Sequence, residues 1–275
     1  MKLAFMTANY VAEALQYRPG LEWGAYQEET FRKFHGSSFA YEFEQLLNRI
    51  KQLGFDALEL WVAHLDPLQA TPEMLQTAVE LLERYELEVV SYTPSFRTPH
   101  TGKEEIKKVY ETAKAIGAPV LANGFHASNA PAIYELGKQF GIKYGIENHP
   151  ERNAQEVLSQ IEGFAPWIGS TLDTGWFATQ GYDPVKAVLE LKDHLVHVHL
   201  KDVAAVGAHD SCELGQGIVP LADVIRQLKA INYQGALTIE HEPMDHDPSD
   251  EVMKSLIYVR RLLSDGAIPK GDRSL

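Results

Sequence analysis

Leu195-Val196-His197-Val198-His199-Leu200-Lys201 alternates apolar and ionisable side chains in a run too short and too rich in valine for a helix. A period of two places Val196, Val198 and Leu200 on one face of a strand and His197, His199 and Lys201 on the other. Apolar runs of similar length recur at Leu3–Ala8, Ala57–Ala63, Glu88–Thr93, Pro119–Asn123, Lys143–His149, Gly169–Thr174 and Ala236–Glu242. Each is followed by turn residues and a longer stretch with helical periodicity. Thr71-Pro72-Glu73 reads as a cap and first turn, with Met74, Leu75, Ala78, Val79, Leu82 and Tyr85 on one helical face. Asp183-Pro184 and Asp247-Pro248-Ser249 open further helices, and Asp223 falls early in another at Leu221–Ile231. Buried strands joined by helices imply a parallel sheet, and eight such units in 275 residues predict one closed (β/α)8 TIM barrel spanning residues 1–275. An open doubly wound sheet is the alternative. It usually carries a glycine-rich phosphate loop after its first strand, where this chain has Thr7-Ala8-Asn9-Tyr10.

The connection from Tyr10 to Ser38 is long and aromatic, with Tyr17, Trp23, Tyr26, Phe31 and Phe34 around Arg18-Pro19-Gly20. Leaving the first strand, it must emerge at the C-terminal mouth of the barrel, where active sites of this fold sit. Residues 10–38 are therefore expected to be a lid, a dimer contact or a helical cover over apolar surface. The formal charge of −13 and the lack of a basic run argue against nucleic acid or an anionic membrane as partner. No apolar stretch reaches the about 18 residues of a spanning helix, and the first residues lack a signal-peptide core. The single cysteine, Cys212, fits a reducing cytoplasm and excludes a multi-thiolate metal site.

Four strands carry ionisable residues near their C-terminal ends. Apolar Ile146, Leu172, Val198 and Ile239 face the helices, so Glu147, Asp173, His199 and Glu240 face the barrel axis. Three carboxylates and one imidazole on one arc repel one another unless a divalent cation neutralises them. The oxygen and nitrogen donors suit Mn²⁺, taken first, and also Mg²⁺, Co²⁺, Fe²⁺ or Zn²⁺.

These residues carry a resemblance. Gly54-Phe55-Asp56-Ala57-Leu58-Glu59-Leu60, Ile146-Glu147-Asn148-His149, Leu172-Asp173-Thr174-Gly175, His197-Val198-His199-Leu200-Lys201-Asp202, Gly215-Gln216-Gly217, and Tyr233-Gln234-Gly235 before Thr238-Ile239-Glu240 resemble phrases of the sugar-phosphate isomerase/epimerase superfamily of xylose isomerase-like TIM barrels. The resemblance implies one divalent metal held by Glu147, Asp173, His199 and Glu240. Two positions depart from it. Many relatives have histidine where Trp176 stands, so a polar substrate contact is lost, an aromatic face for a sugar ring is gained, or the indole simply packs. The related apurinic-site endonucleases place an aspartate and a histidine as further zinc ligands where this chain has His209 and Ser211, so a trinuclear nuclease centre is not expected.

A metal chelated by a ketose carbonyl and its neighbouring hydroxyl stabilises the charge that develops when the adjacent proton leaves. The resemblance implies that Glu147 and Glu240 are the catalytic acid/base pair, acting from two faces of the substrate. The expected function is thus a metal-dependent isomerase or epimerase of a ketose or related small sugar. A dehydratase acting on a polyol ketone or keto acid would use the same proton abstraction, and a non-catalytic sugar-binding barrel is the different-class alternative. Expected substrate contacts are His149, Trp176, Lys201 and His64. Lys201 either neutralises a substrate oxyanion or pairs with Asp202 or another carboxylate. His197, one layer deeper, is read as a hydrogen-bonded core histidine, and Asn148 as a residue that orients the turn.

Overall fold

The computed structural model describes residues 1–264; residues 265–275 of the expected domain lie outside the described residues. All eight apolar runs form barrel strands, several of them shorter than the runs. They are β1 (Lys2–Met6), β2 (Ala57–Trp61), β3 (Glu88–Thr93), β4 (Val120–Asn123), β5 (Lys143–Glu147), β6 (Ile168–Asp173), β7 (Leu195–Leu200) and, beyond a small hairpin of β8 (Asp202–Val203) and β9 (Ser211–Cys212), β10 (Ala236–Ile239). Pairing is parallel in the order β1-β10-β7-β6-β5-β4-β3-β2, and β2 returns to β1, so the sheet closes into the expected barrel. The first two runs stop early because the chain tightens into 3₁₀ turns at Thr7–Tyr10 and Val62–His64.

The helices are α1 (Trp23–Phe34), α2 (Phe39–Gln52), α3 (Pro72–Arg84), α4 (Lys103–Ala115), α5 (Ala130–Phe140), α6 (Ala154–Ile161), α7 (Thr174–Thr179), α8 (Pro184–Leu191), α9 (Leu221–Ala230) and α10 (Ser249–Ser264). Their starts follow local chemistry. The backbone N–H of Met74 donates to Thr71 Oγ1 at 3.2 Å, that of Glu156 to Asn153 Oδ1 at 3.0 Å, and that of Val185 to Asp183 Oδ1 at 2.9 Å. Proline in the first turn of α3, α5 and α8 has no N–H to leave unpaired. Phe43, Leu47 and Ile50 of α2 and Leu221, Val224, Ile225 and Leu228 of α9 recur at helical spacing and are fully buried against the sheet. Burial contributes about 1.5–3 kcal/mol for each such side chain.

The connection after β1 is a built cover. Thr30 Oγ1 donates to the Val11 carbonyl at 3.1 Å and Tyr26 Oη to that of Arg18 at 2.7 Å, tying α1 to the chain that leads into it. A second element follows β7 at the rim. The Asp202 carboxylate accepts from the backbone N–H groups of Val203 and Gly215, both at 2.9 Å, and of Gly217 and Val219, both at 3.0 Å. A side chain at Gly217 would begin 2.2 Å from Asp202 Oδ1, so glycine is required there. No helix among the described residues is long and apolar enough to cross a membrane.

Candidate active site

Glu147 ends β5, Asp173 ends β6, His199 lies next to last in β7, and Glu240 follows β10. Because β5, β6, β7 and β10 are consecutive in the barrel, all four side chains are buried together at the foot of a cavity of about 630 Å³. His199 Nδ1 is 3.0 Å from Glu147 Oε1 and 2.9 Å from Glu240 Oε2. Asp173 Oδ1 accepts from the Trp176 N–H at 3.0 Å and so caps α7. Its Oδ2 is buried without a hydrogen-bond partner, as is Glu240 Oε2, which meets His199 Nδ1 as an ion pair at 2.9 Å. Buried carboxylate oxygens without donors are costly. Glu147, His199 and Glu240 offer donor atoms within 4.8 Å of one another, a donor set that a divalent cation fits, and Asp173 Oδ2 lines the same cavity outside that set.

The electrostatics follow from crowding. Burial, and then the neighbouring Glu240, raise the Asp173 carboxyl above its ordinary range. Burial pushes Glu147 and Glu240 the same way, but opposite charges win: His199 and His149 lower Glu147, while Lys201 and His199 hold Glu240 well below the usual carboxylate range. Lys201 Nζ donates to Glu240 Oε1 at 2.7 Å and to Glu242 Oε2 at 3.1 Å, so its partner is not Asp202. Gly175 makes room for it, since a Cβ there would lie 2.8 Å from Lys201 Cγ. Glu242, largely withdrawn from solvent and only second in claim on that ammonium, is pushed up to about 8.

Beneath the mouth lies a cluster that the strand-by-strand reading overlooked. Glu59 of β2 is fully buried, and its two carboxylate oxygens each lie 3.1 Å from His199 Nε2. Thr93 Oγ1 donates to Glu59 Oε1 at 2.7 Å, and His197 Nε2 lies 2.7 Å from Oε2 and 3.0 Å from Thr238 Oγ1. His197 is thus the core histidine expected of it. With its Nε2–H directed at Glu59, His199 turns Nδ1 towards Glu147 and Glu240, where it could serve as a metal ligand. Burial opposes a charge on His199, yet Glu59 and Glu240 raise its pKa well above the ordinary value.

Among the expected substrate contacts, His149, Trp176 and Lys201 line the cavity. His149 Nε2 lies 3.7 Å from Asp173 Oδ2, and its ring meets that of Trp176 edge-on at 4.0 Å. The Trp176 indole N–H donates to the Glu151 carbonyl at 3.1 Å, which fixes the ring as cavity wall. His64 does not reach the cavity. The 3₁₀ turn after β2 swings it back against Thr7 Oγ1 (3.1 Å) and the Phe34 and Trp61 rings, where burial lowers its pKa to about 3. Asn148 does orient its turn: it donates to the Asp173 carbonyl at 3.0 Å and accepts from the Asp173 N–H at 2.7 Å. Trp23 and Gln27 of α1 border the same cavity, so the 10–38 connection is both a packed cover and part of the rim. Glu242 and Arg97 are wall residues without an assigned role in the sequence reading. Glu242 had a signal, since it shares strand parity with Glu240. Arg97, which donates to the His149 carbonyl at 2.9 Å and to Asn123 Oδ1 at 3.0 Å, lies in a loop whose path periodicity does not describe.

An uncharacterized protein of Methanocaldococcus jannaschii is 25% identical over 271 residues, covering 82% of this chain and 90% of that protein. A protein named D-psicose 3-epimerase, from Enterocloster bolteae, is 23% identical over 260 residues, covering 78% of this chain and 84% of its own length. The crystal structure of a D-tagatose 3-epimerase-like protein superposes with a TM-score of 0.70 at 20% identity, covering 96% of this chain and 98% of that one. The family model for xylose isomerase-like TIM barrels matches residues 47–262. The chain belongs to the xylose isomerase-like TIM barrel family.

Proposed function

We propose that the protein is a divalent-metal-dependent isomerase or epimerase of a ketose or a related small sugar. The observation that carries this reading is the set of buried carboxylate oxygens without donors, Asp173 Oδ2 and Glu240 Oε2, facing a cavity together with Glu147 and His199. Glu147, Asp173, His199 and Glu240 would hold the ion; Mn²⁺ is the first choice. When bound, it supplies Lewis-acid stabilisation of negative charge on a substrate carbonyl oxygen. The names of the Enterocloster relative and of the superposed structure support a ketose as substrate class.

The protein's own groups do the proton chemistry. Glu147 and Glu240 stand at the two ends of the four-strand arc, and one removes the proton beside the carbonyl while the other returns it. Return to the same carbon is epimerisation; return to the neighbouring carbon is aldose–ketose isomerisation. Lys201 keeps Glu240 ionised and lies close enough to meet a substrate oxyanion. Trp61, Trp176, Met6 and Met244 give the cavity an apolar wall that limits water at the reacting carbon.

Incubation of Mn²⁺-loaded protein with candidate ketoses in D₂O, followed by NMR, tests the reading. Loss of the C3 proton signal is expected for an epimerase, and of a C1 proton for an isomerase. No exchange with any ketose would sink it, and net loss of water would move the enzyme to the dehydratase reading with the same metal site.

A further inference from the structure

Three metal-ligating side chains meet outside the mouth, where the segment after β10 turns into α10. His241 Nε2 lies 2.8 Å from Glu251 Oε2, and His246 Nε2 lies 2.7 Å from the same oxygen. The three donor atoms fall within 4.8 Å of one another. The second nitrogen of each ring is already engaged: Ser211 Oγ holds His241 Nδ1 at 2.9 Å, and Asp245 Oδ1 holds His246 Nδ1 at 2.6 Å. A partner on Nδ1 sets the ring orientation and leaves Nε2 as the ligating atom, which is how oxygen groups behind metal-bound histidines work. Among the described residues no lysine or arginine lies within ion-pair distance of these three groups to compete for Glu251.

We propose that His241, His246 and Glu251 form a second metal site, for Zn²⁺ or another imidazole-preferring transition ion. Two nitrogens and one oxygen disfavour Mg²⁺, and the exposed edge beside His246 leaves room for water as a fourth ligand. The ion takes the place of the protons that now bridge the rings to Glu251. Ligand atoms around a bond length of about 2.0–2.1 Å stand farther apart than hydrogen-bonded ones, so the site must widen by a few tenths of an ångström. His246, half exposed, can give that distance. Bound metal would pin the turn before α10 to the end of β10. Through Ser211, whose Oγ also accepts from the Glu242 N–H at 3.0 Å, it would pin β9 at the rim as well.

The test is a titration of chelator-stripped full-length protein with Zn²⁺ by calorimetry, and with Co²⁺ by its visible absorption. Wild type should take two equivalents, one of them unchanged by Asp173→Asn at the mouth and lost in His246→Ala. The affinity of that equivalent should fall by at least the roughly 10–100-fold seen when groups behind a ligand are removed, and Asp245→Asn should weaken it less. Glu251→Gln, checked by melting curve for folding, should delete the same equivalent. Unchanged stoichiometry and affinity in both His246→Ala and Glu251→Gln would overturn the proposal. A wild type that binds one equivalent, lost in His246→Ala and kept in Asp173→Asn, would leave this site standing and sink the mouth metal instead.

Discussion

Two carboxylate–histidine clusters share His199 and differ in one respect. In the lower cluster every carboxylate oxygen has a partner within the fold: Glu59 is held by Thr93, His197 and His199. In the upper cluster Asp173 and Glu240 each keep an oxygen without one. Both clusters are buried, and both use the residue types that bind metals. The lower one neutralises itself, because Glu59 faces two imidazoles. The upper one brings three carboxylates around His199, with His149 no nearer than 3.7 Å to Asp173, and Lys201 pairs directly with Glu240 and Glu242. The lesson is that residue type alone does not separate these two clusters, whereas an unmet bonding capacity facing a cavity does.

That contrast can be broken most directly through the chemistry. Glu147→Gln and Glu240→Gln should each lower substrate proton exchange by roughly 10²–10⁴, or more if metal affinity falls too, while the folded baseline in circular dichroism stays intact. Wild-type exchange rates in either variant would remove its assigned role. The lower cluster should respond in the opposite currency. Glu59→Ala leaves His197 and His199 without their buried partner and should cost about 3–5 kcal/mol in urea unfolding of the metal-free protein. If it were as stable as wild type, the self-neutralising description of that cluster would be wrong.

Metal linkage gives the next effect. Mn²⁺ at about a hundred times its dissociation constant should stabilise wild type by about 2.7 kcal/mol, read as a chelator-reversible rise in Tm. Asp173→Asn should lose most of this rise, and a variant that kept it would place the ion elsewhere. An effect of similar size, seen only in acid, comes from His64, which belongs to neither cluster. Its folded pKa is lowered to about 3, so it is neutral in the fold and protonates only when unfolded as pH drops below the ordinary 6.5. Its contribution is complete above pH 6.5 and is lost at about 1.4 kcal/mol per pH unit as pH falls towards 3. The unfolding free energy of His64→Gln should therefore fall less steeply than that of wild type between pH 6 and pH 4, and parallel curves would contradict a neutral buried imidazole.

The eight strands and the inward parity of Glu147, Asp173, His199 and Glu240 were legible in the sequence. Both depend on short-range geometry, since an apolar run needs cover on two faces and side chains alternate along a strand. Helix starts at Thr71, Asp183 and Asp247 were legible for the same reason, because a cap acts over three residues. What only the tertiary structure decided is who meets whom across the barrel. Glu59 sits between Leu58 and Leu60 like any strand residue, and its partners His197 and His199 are 138 and 140 positions away. Bringing them together depends on barrel closure, which sets β2 across from β7. The retreat of His64 and the choice of Glu240 and Glu242 over Asp202 by Lys201 are of the same kind. Parity names the face a side chain points to, and only the closed fold sets what stands opposite.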